Sequence, residues 1–234
     1  IISLVGAFRM ILGGISEPVS LAAKDIHLSF GANPVLRGVD LEVPAGTTAA
    51  VIGPSGSGKS TLMHLLAGLD RPTAGEAWID GTEITKLGDK ALTLLRREKI
   101  GFVFQFFNLL PMLTAIENIE LPLSIAGRKA EPGWIDQLVG SVGLSDRLEH
   151  RPSELSGGQQ QRVAIARSLV TKPAVIFADE PTGNLDSKTG SEILDLMRAS
   201  VTDLHQTIVM VTHDPRAAAI ADEWIRLTFT NDDR

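Results

Sequence analysis

The chain has 234 residues, 44% of them hydrophobic and 21% charged, with a formal net charge of −6. That is enough for one large domain with its own core, or for a domain with a substantial insertion. The acidic balance offers no basic face of the kind nucleic acid needs, so no nucleic-acid partner is expected. The absence of cysteine excludes disulfides, thiolate metal sites and a cysteine nucleophile, and fits a cytosolic protein.

The chain opens with the apolar stretch IISLVGAFRMILGGI, residues 1–15. It is shorter than the about 20 apolar residues a membrane-spanning helix needs. Arg9 and Gly13–Gly14 interrupt it, and it lacks the charged start and small-residue cleavage site of a signal peptide. Residues 1–18 read as a leader or extension foreign to the rest. The helical spacing of Ile1, Leu4, Val5, Phe8, Ile11 and Leu12 keeps a membrane-surface or partner-binding helix as the alternative.

From Val19 to Val43 the pattern is strand, turn, strand, with turn chemistry at GANP. TTAAVIG is a compact apolar strand feeding a Gly-rich turn, and KSTLMHLLAGL continues as a helix. IGFVF is a short buried strand. SGGQQQRVAIARSLV reads as a helix, AVIFADE as a strand, SEILDLMRASV as a helix and TIVMVTH as a strand. AVIFADE and TIVMVTH lack alternation, as strands covered on both faces do in a parallel sheet. The succession predicts an α/β fold. Between Pro111 and Leu155 the chain is punctuated by Pro111, Pro122, Pro132 and Pro152, and its periodic pieces, such as WIDQLVGSVGL, are helical. We read it as a small helical subdomain, spanning about 106–168, inserted into a core of 19–105 and 169–234.

GPSGSGKST, Gly53 to Thr61, carries the spacing G-x-x-x-x-G-K-[ST]. In such a loop, running Gly53, Pro54, Ser55, Gly56, Ser57 and Gly58, the glycines let successive backbone N–H groups after the proline turn toward phosphate oxygens. Lys59 reaches the β- and γ-phosphates, and Ser60 ligates Mg²⁺. The expected ligands are therefore ATP and Mg²⁺, with Thr61 continuing the helix whose positive end faces the phosphates. Asp179 ends a buried strand and suits Mg²⁺. Glu180 follows it, placed to polarise a water attacking the γ-phosphate. His213 ends the next buried strand, at the sheet edge where ligands bind in open α/β folds. Gln105, after IGFVF, sits where core meets insert, and its amide oxygen suits Mg²⁺ or the attacking water. The chain has no tyrosine, so Phe30, just before the turn, is the candidate platform for adenine. His27, His64, His150 and His205 are read as structural.

A second helix start, LSGGQ, also looks made for an anion: Ser156, Gly157 and Gly158 leave the first helical N–H groups free. It has no lysine, and the insert would hold it away from Lys59. A head-to-tail dimer resolves this, each copy's LSGGQ covering the nucleotide on the other copy's P-loop.

Taken together, these residues resemble the nucleotide-binding subunits of ABC transporters, over Val19 to Thr228. The resemblance identifies GPSGSGKS as Walker A, Gln105 as the Q-loop, Ser156, Gly157, Gly158 and Gln159 as the signature, VIFADE as Walker B, Asn184–Leu185–Asp186 as the D-loop and His213 as the switch histidine. It implies a P-loop NTPase core with an N-terminal antiparallel portion. It also implies an ATPase whose homodimer closes on ATP and drives an integral-membrane permease from the cytoplasmic face of the membrane, as a peripheral subunit. IGFVFQFFNLLPMLTAIENIELPL and DEPTGNLDSKTG look like the lipoprotein-release, macrolide-export and FtsE-like branch. Some members of that branch signal mechanically and transport nothing, which is the alternative reading. Two departures stand out: Phe30 occupies a position commonly tyrosine, and residues 1–15 lie outside the pattern.

Overall fold

The computed structural model describes residues 18–31 and 33–228. The opening apolar stretch, residues 1–15, lies outside them. The described residues open with a hairpin of β1 (Val19–Phe30) and β2 (Asn33–Pro44), then β3 (Thr48–Ile52) and α1 (Lys59–Leu66). Next come β4 (Ala74–Ile79), β5 (Thr82–Glu83), α2 (Asp89–Lys99) and β6 (Ile100–Phe104). α3 (Ala115–Ile125), α4 (Trp134–Ser141) and α5 (Gly157–Leu169) follow. The last described elements are β7 (Val175–Asp179), α6 (Ser187–Leu204), β8 (Ile208–Val211), α7 (Pro215–Ala219) and β9 (Glu223–Arg226).

The strands form two sheets. One is antiparallel, in the order β2-β1-β4-β5. The other is parallel throughout, in the order β6-β7-β8-β3-β9. This is the expected α/β architecture with an antiparallel N-terminal portion. The unpatterned apolar strands behave as read: Val175 and Phe177 of β7 enter one core with α1 and the antiparallel sheet, while Ile176 and Ala178 enter a second core with α3, α4, α5 and α6. β8 does the same, Val209 and Val211 facing one way and Ile208 and Met210 the other. Side chains from both faces of one strand thus bind the two halves of the molecule together.

Three features depart from the sequence pattern. Pro122 punctuates nothing; it lies inside α3. A proline there removes one helical hydrogen bond, and α3 is braced from elsewhere. Its first turn carries a capping box between Thr114 and Glu117. The fully buried Asn118 side chain takes Leu110 N–H and donates to the carbonyls of Leu110, Leu113 and Thr114. α2 and β4 carry no reading above. β9 is a four-residue edge strand, mostly exposed, whose two apolar residues Trp224 and Ile225 are too short a run to announce it.

α5 lies directly on β6. A side chain at Gly101 would bring Cβ to 2.5 Å from the backbone oxygen of Ser168. Gly101→Ala therefore has to lift α5 from the sheet. We expect a loss of about 1–3 kcal/mol, the usual range for overpacking a core, seen as a Tm several degrees lower. An unchanged melting curve would show that α5 is not seated as described.

Candidate active site

Because the five strands run parallel, their carboxyl ends share one edge of the sheet. The pairing aligns Phe104 with Asp179, Asp179 with Val211, and Val211 with Val51. Gly53, Gln105, Glu180 and His213 each lie one or two residues beyond those positions, on four neighbouring strand ends. Residues spread over 160 positions of sequence thus meet at one edge.

The P-loop is shaped by its glycines. Gly56 and Gly58 have φ of 79° and 88°, where a side chain is strained. Gly58 is the N-cap of α1, and no side chain caps that helix. Its first N–H groups, with the positive end of the helix dipole, face the loop. Lys59 folds back so that Nζ donates to the carbonyls of Gly53 and Pro54, each at 2.9 Å. Ser57 Oγ is buried without a hydrogen-bond partner. Uncapped amides, an ammonium and an orphaned hydroxyl around one loop are what a row of phosphate oxygens satisfies, so the loop fits a nucleotide.

Asp179 is half-buried. Desolvation, followed by the charge of Glu180, pushes its carboxyl above the ordinary value. His64, a hydrogen bond from Ser60 and Lys59 oppose the shift. Ser60 and Asp179 together supply hard oxygen donors, the set that suits Mg²⁺. Among the described residues no group of three or more His, Asp or Glu side chains forms a metal cage. Mg²⁺ characteristically binds to one or two protein oxygens plus substrate phosphates, so this pair fits it.

Glu180 has φ of 47°, left-handed for a non-glycine residue, and it precedes a proline. Its Oε1 lies 2.6 Å from Nδ1 of His213. A carboxylate only accepts, so this bond places the ring proton on Nδ1 and leaves Nε2 as acceptor. Oε2 has only long contacts, 3.4 Å from Thr212 Oγ1 and from the backbone N of His213. The sequence brought His213 to the edge; the structure sets it on Glu180.

Gln105 is turned to a partner the sequence did not suggest. Its Nε2 donates to Asn184 Oδ1 at 3.2 Å, and Asn184 Nδ2 donates to the Gln105 carbonyl at 2.9 Å. Asp186 caps α6. Its Oδ1 accepts from the N–H groups of Lys188 and Thr189 and its Oδ2 accepts from the Thr189 hydroxyl, which chiefly holds the carboxyl below its usual range. Phe30 ends β1 with 60% of its surface exposed, open to a stacking partner.

At the second helix start, Ser156 caps α5, and Gln159 Oε1 accepts from Ser156 N–H in a capping box. S-x-x-Q announces that box in sequence. Gly157 packs beside Leu185 and Phe107, and Gly158 leaves no room for a Cβ beside Thr189. No hydrogen bond joins 156–159 to 53–61 among the described residues. Two further residues escaped the sequence reading. Arg167 donates to the carbonyls of Phe107 and Asn108, both at positive φ, and its burial lowers its pKa. Gln161 is wholly buried. A polar residue on the apolar face of α5, four before Ile165, was the available signal.

A family model described as "ABC transporter" matches residues 36–183. The chain belongs to the ABC transporter family. It is an ATP-binding, ATP-hydrolysing cassette with the P-loop NTPase fold of that family. It is similar to the lipoprotein-releasing system ATP-binding protein LolD of Geobacter metallireducens, with 49% identity over 213 residues, 88% of this chain and 95% of that protein. It is 48% identical over 213 residues to the macrolide export ATP-binding/permease protein MacB of Marinobacter nauticus, covering 87% of this chain but 32% of that longer protein. Among solved structures it resembles the dimeric post-hydrolysis state of the ATP-binding cassette MJ0796 bound to ADP and Pi, with TM-score 0.77, 42% identity and coverage of 88% and 94% of the two chains. Among the described residues of this cassette, no helix is long and apolar enough to cross a membrane.

The raised pKa of Asp179 has a stability consequence. A carboxyl whose folded pKa lies above its unfolded value favours the fold below the unfolded pKa. That advantage is lost as pH rises through the folded one. At neutral pH the ionised Asp179 therefore works against the fold. Asp179→Asn should raise Tm at pH 7.5 in metal-free buffer, with the gain shrinking as pH falls toward 4. A lower Tm at pH 7.5 would contradict the desolvation account.

Proposed function

We propose that two copies of this cassette close head to tail on two ATP molecules, each with Mg²⁺, and so drive an integral-membrane permease of the lipoprotein-release or macrolide-export type. The observation that carries the reading is the division of labour between two helix starts. One has lysine and no side-chain cap. The other has two glycines, no lysine and, among the described residues, no hydrogen bond to the first. Each supplies what the other lacks, so they are two halves of one site. The dimeric state of MJ0796 with ADP and Pi supports this arrangement. The MacB relative, a macrolide export ATP-binding/permease protein, supports the coupling, since it joins the two in one chain.

In this reading Gly53 to Thr61 wraps the phosphates, Lys59 neutralises them and Phe30 stacks on adenine. Ser60, Asp179 and, when released from Asn184, Gln105 hold Mg²⁺, which when bound neutralises charge on the phosphate oxygens. Glu180 is the general base: Oε2 accepts the proton of the attacking water, while Oε1 stays on His213. Water adds to the γ-phosphorus, the bond to the bridging oxygen breaks, and ADP and phosphate result. Ser156 to Gln159 of the partner copy covers the same phosphates, and Asp186 lies in the loop between the two sites. The helical subdomain, about 106–168, faces the permease, and the assembly sits on the cytoplasmic face of the membrane.

Glu180→Gln should retain ATP binding and lower kcat by about 10²–10⁴-fold, the usual contribution of a general base. It should also accumulate an ATP-bound dimer on size exclusion. A fully active variant would sink the base assignment. Mixing Ser156→Arg chains with Lys59→Ala chains tests the sharing of sites. In the heterodimer one site carries both lesions and the other neither, so part of the activity should return. No return, with heterodimers verified, would count against the shared site.

A further inference from the structure

We propose that Gln161 is a positioning residue for Glu180, holding the peptide just beyond it from inside the helix that begins at Ser156. Gln161 has no exposed surface. Its Nε2 donates to the carbonyl of Pro181 at 2.6 Å and lies 3.4 Å from that of Phe104. Its Oε1 is buried and has no partner among the described residues. An orphaned acceptor in a core is destabilising, whereas an apolar side chain of similar size would leave no unmet polar atom of its own. The amide is thus retained at a cost, and its donor end shows why.

The Phe104 carbonyl has a second donor in Phe107 N–H. Among the described residues the Pro181 carbonyl has only Gln161. The turn it belongs to is an awkward one. Glu180 stands at φ 47°, and a residue before proline is pushed toward extended backbone. Three bonds hold it there: Glu180 N–H to Val211 O at 2.9 Å, Gly183 N–H to Glu180 O at 3.0 Å, and Gln161 to Pro181 O. Only the third comes from a side chain, and it reaches in from a different element. Without it the peptide after Glu180 can pivot, and the carboxylate leaves the place His213 fixes for it.

Gln161 lies five residues, under a turn and a half, from Ser156 in one continuous helix. The helix start that covers one nucleotide therefore sets the base that serves the other. This inference rests on the shared-site reading and on Glu180 as the base. It differs from a packing role in what it predicts for rate and binding.

The test uses the full-length chain and Gln161→Leu, which keeps the volume and cannot donate. We expect kcat for ATP hydrolysis to fall at least 10-fold with KM for ATP within twofold of wild type. We also expect an ATP-bound dimer to accumulate on size exclusion, as with Glu180→Gln. Gln161→Met is the companion variant, flexible enough to fill the space if leucine does not, and should behave alike. Wild-type kcat in either folded variant overturns the inference, as does a rate loss without dimer accumulation. If neither variant folds, Gln161 belongs to the fold and the inference also fails. The underlying reading fails separately: an active Glu180→Gln removes the base assignment whatever Gln161 does.

Discussion

A carboxylate at the end of a strand buried on both faces has little water of its own, and Asp179 is held there beside a second acid. Much of the local architecture answers that constraint. The parallel sheet makes the position unavoidable, because Phe177 and Ala178 immediately before it are packed into opposite cores. Ser60, Lys59 and His64 arrive on α1 to oppose the cost. Glu180 is turned aside by a left-handed backbone and directed to His213 on the neighbouring strand end. The two acids are therefore adjacent in sequence but given different company. One meets the groups that α1 carries, the other is hydrogen-bonded to the imidazole of His213. Chemical division between neighbouring residues follows from how the chain bends between them.

α5 is the element that joins this edge to the rest of the molecule. Its apolar face fills the second core, and its polar exceptions reach across the seam. Arg167 holds the loop after β6 by two carbonyls, Gln161 reaches the turn after β7, and Gly158 lets the first turn close on Thr189. Each of these is a side chain or an absence of one acting on backbone. Such contacts set loop positions more tightly than apolar packing, because a hydrogen bond has direction and packing does not.

Much of this could be read from the chain and some could not, for identifiable reasons. The spacing around Lys59 is local chemistry, visible wherever it occurs. The strands β7 and β8 showed themselves because burial on two faces leaves no polar alternation. Asp179, Glu180 and His213 are legible as the residues that end or follow such strands. What was hidden depends on partners distant in sequence. Gln105 meets Asn184 across 79 positions, and no rule of spacing pairs them. Pro122 looks like a helix breaker, and the capping box at Thr114 and the bracing by Asn118 hold the helix around it. β9 is short and mostly exposed, and it is a strand because β3 offers it an edge. Gln161 stood in plain view as a polar residue on an apolar face, but its meaning required knowing which carbonyl lay opposite.

The reciprocal amide pair of Gln105 and Asn184 has one more consequence. Two loops that leave different strands are tied by two hydrogen bonds, each to the other's residue. Kinematically they count as one link, with a single shared coordinate in place of two. A partner that pulls on either loop moves both. Changes of length in one loop during evolution would then be felt as strain in the second, so the two stretches are constrained to vary together.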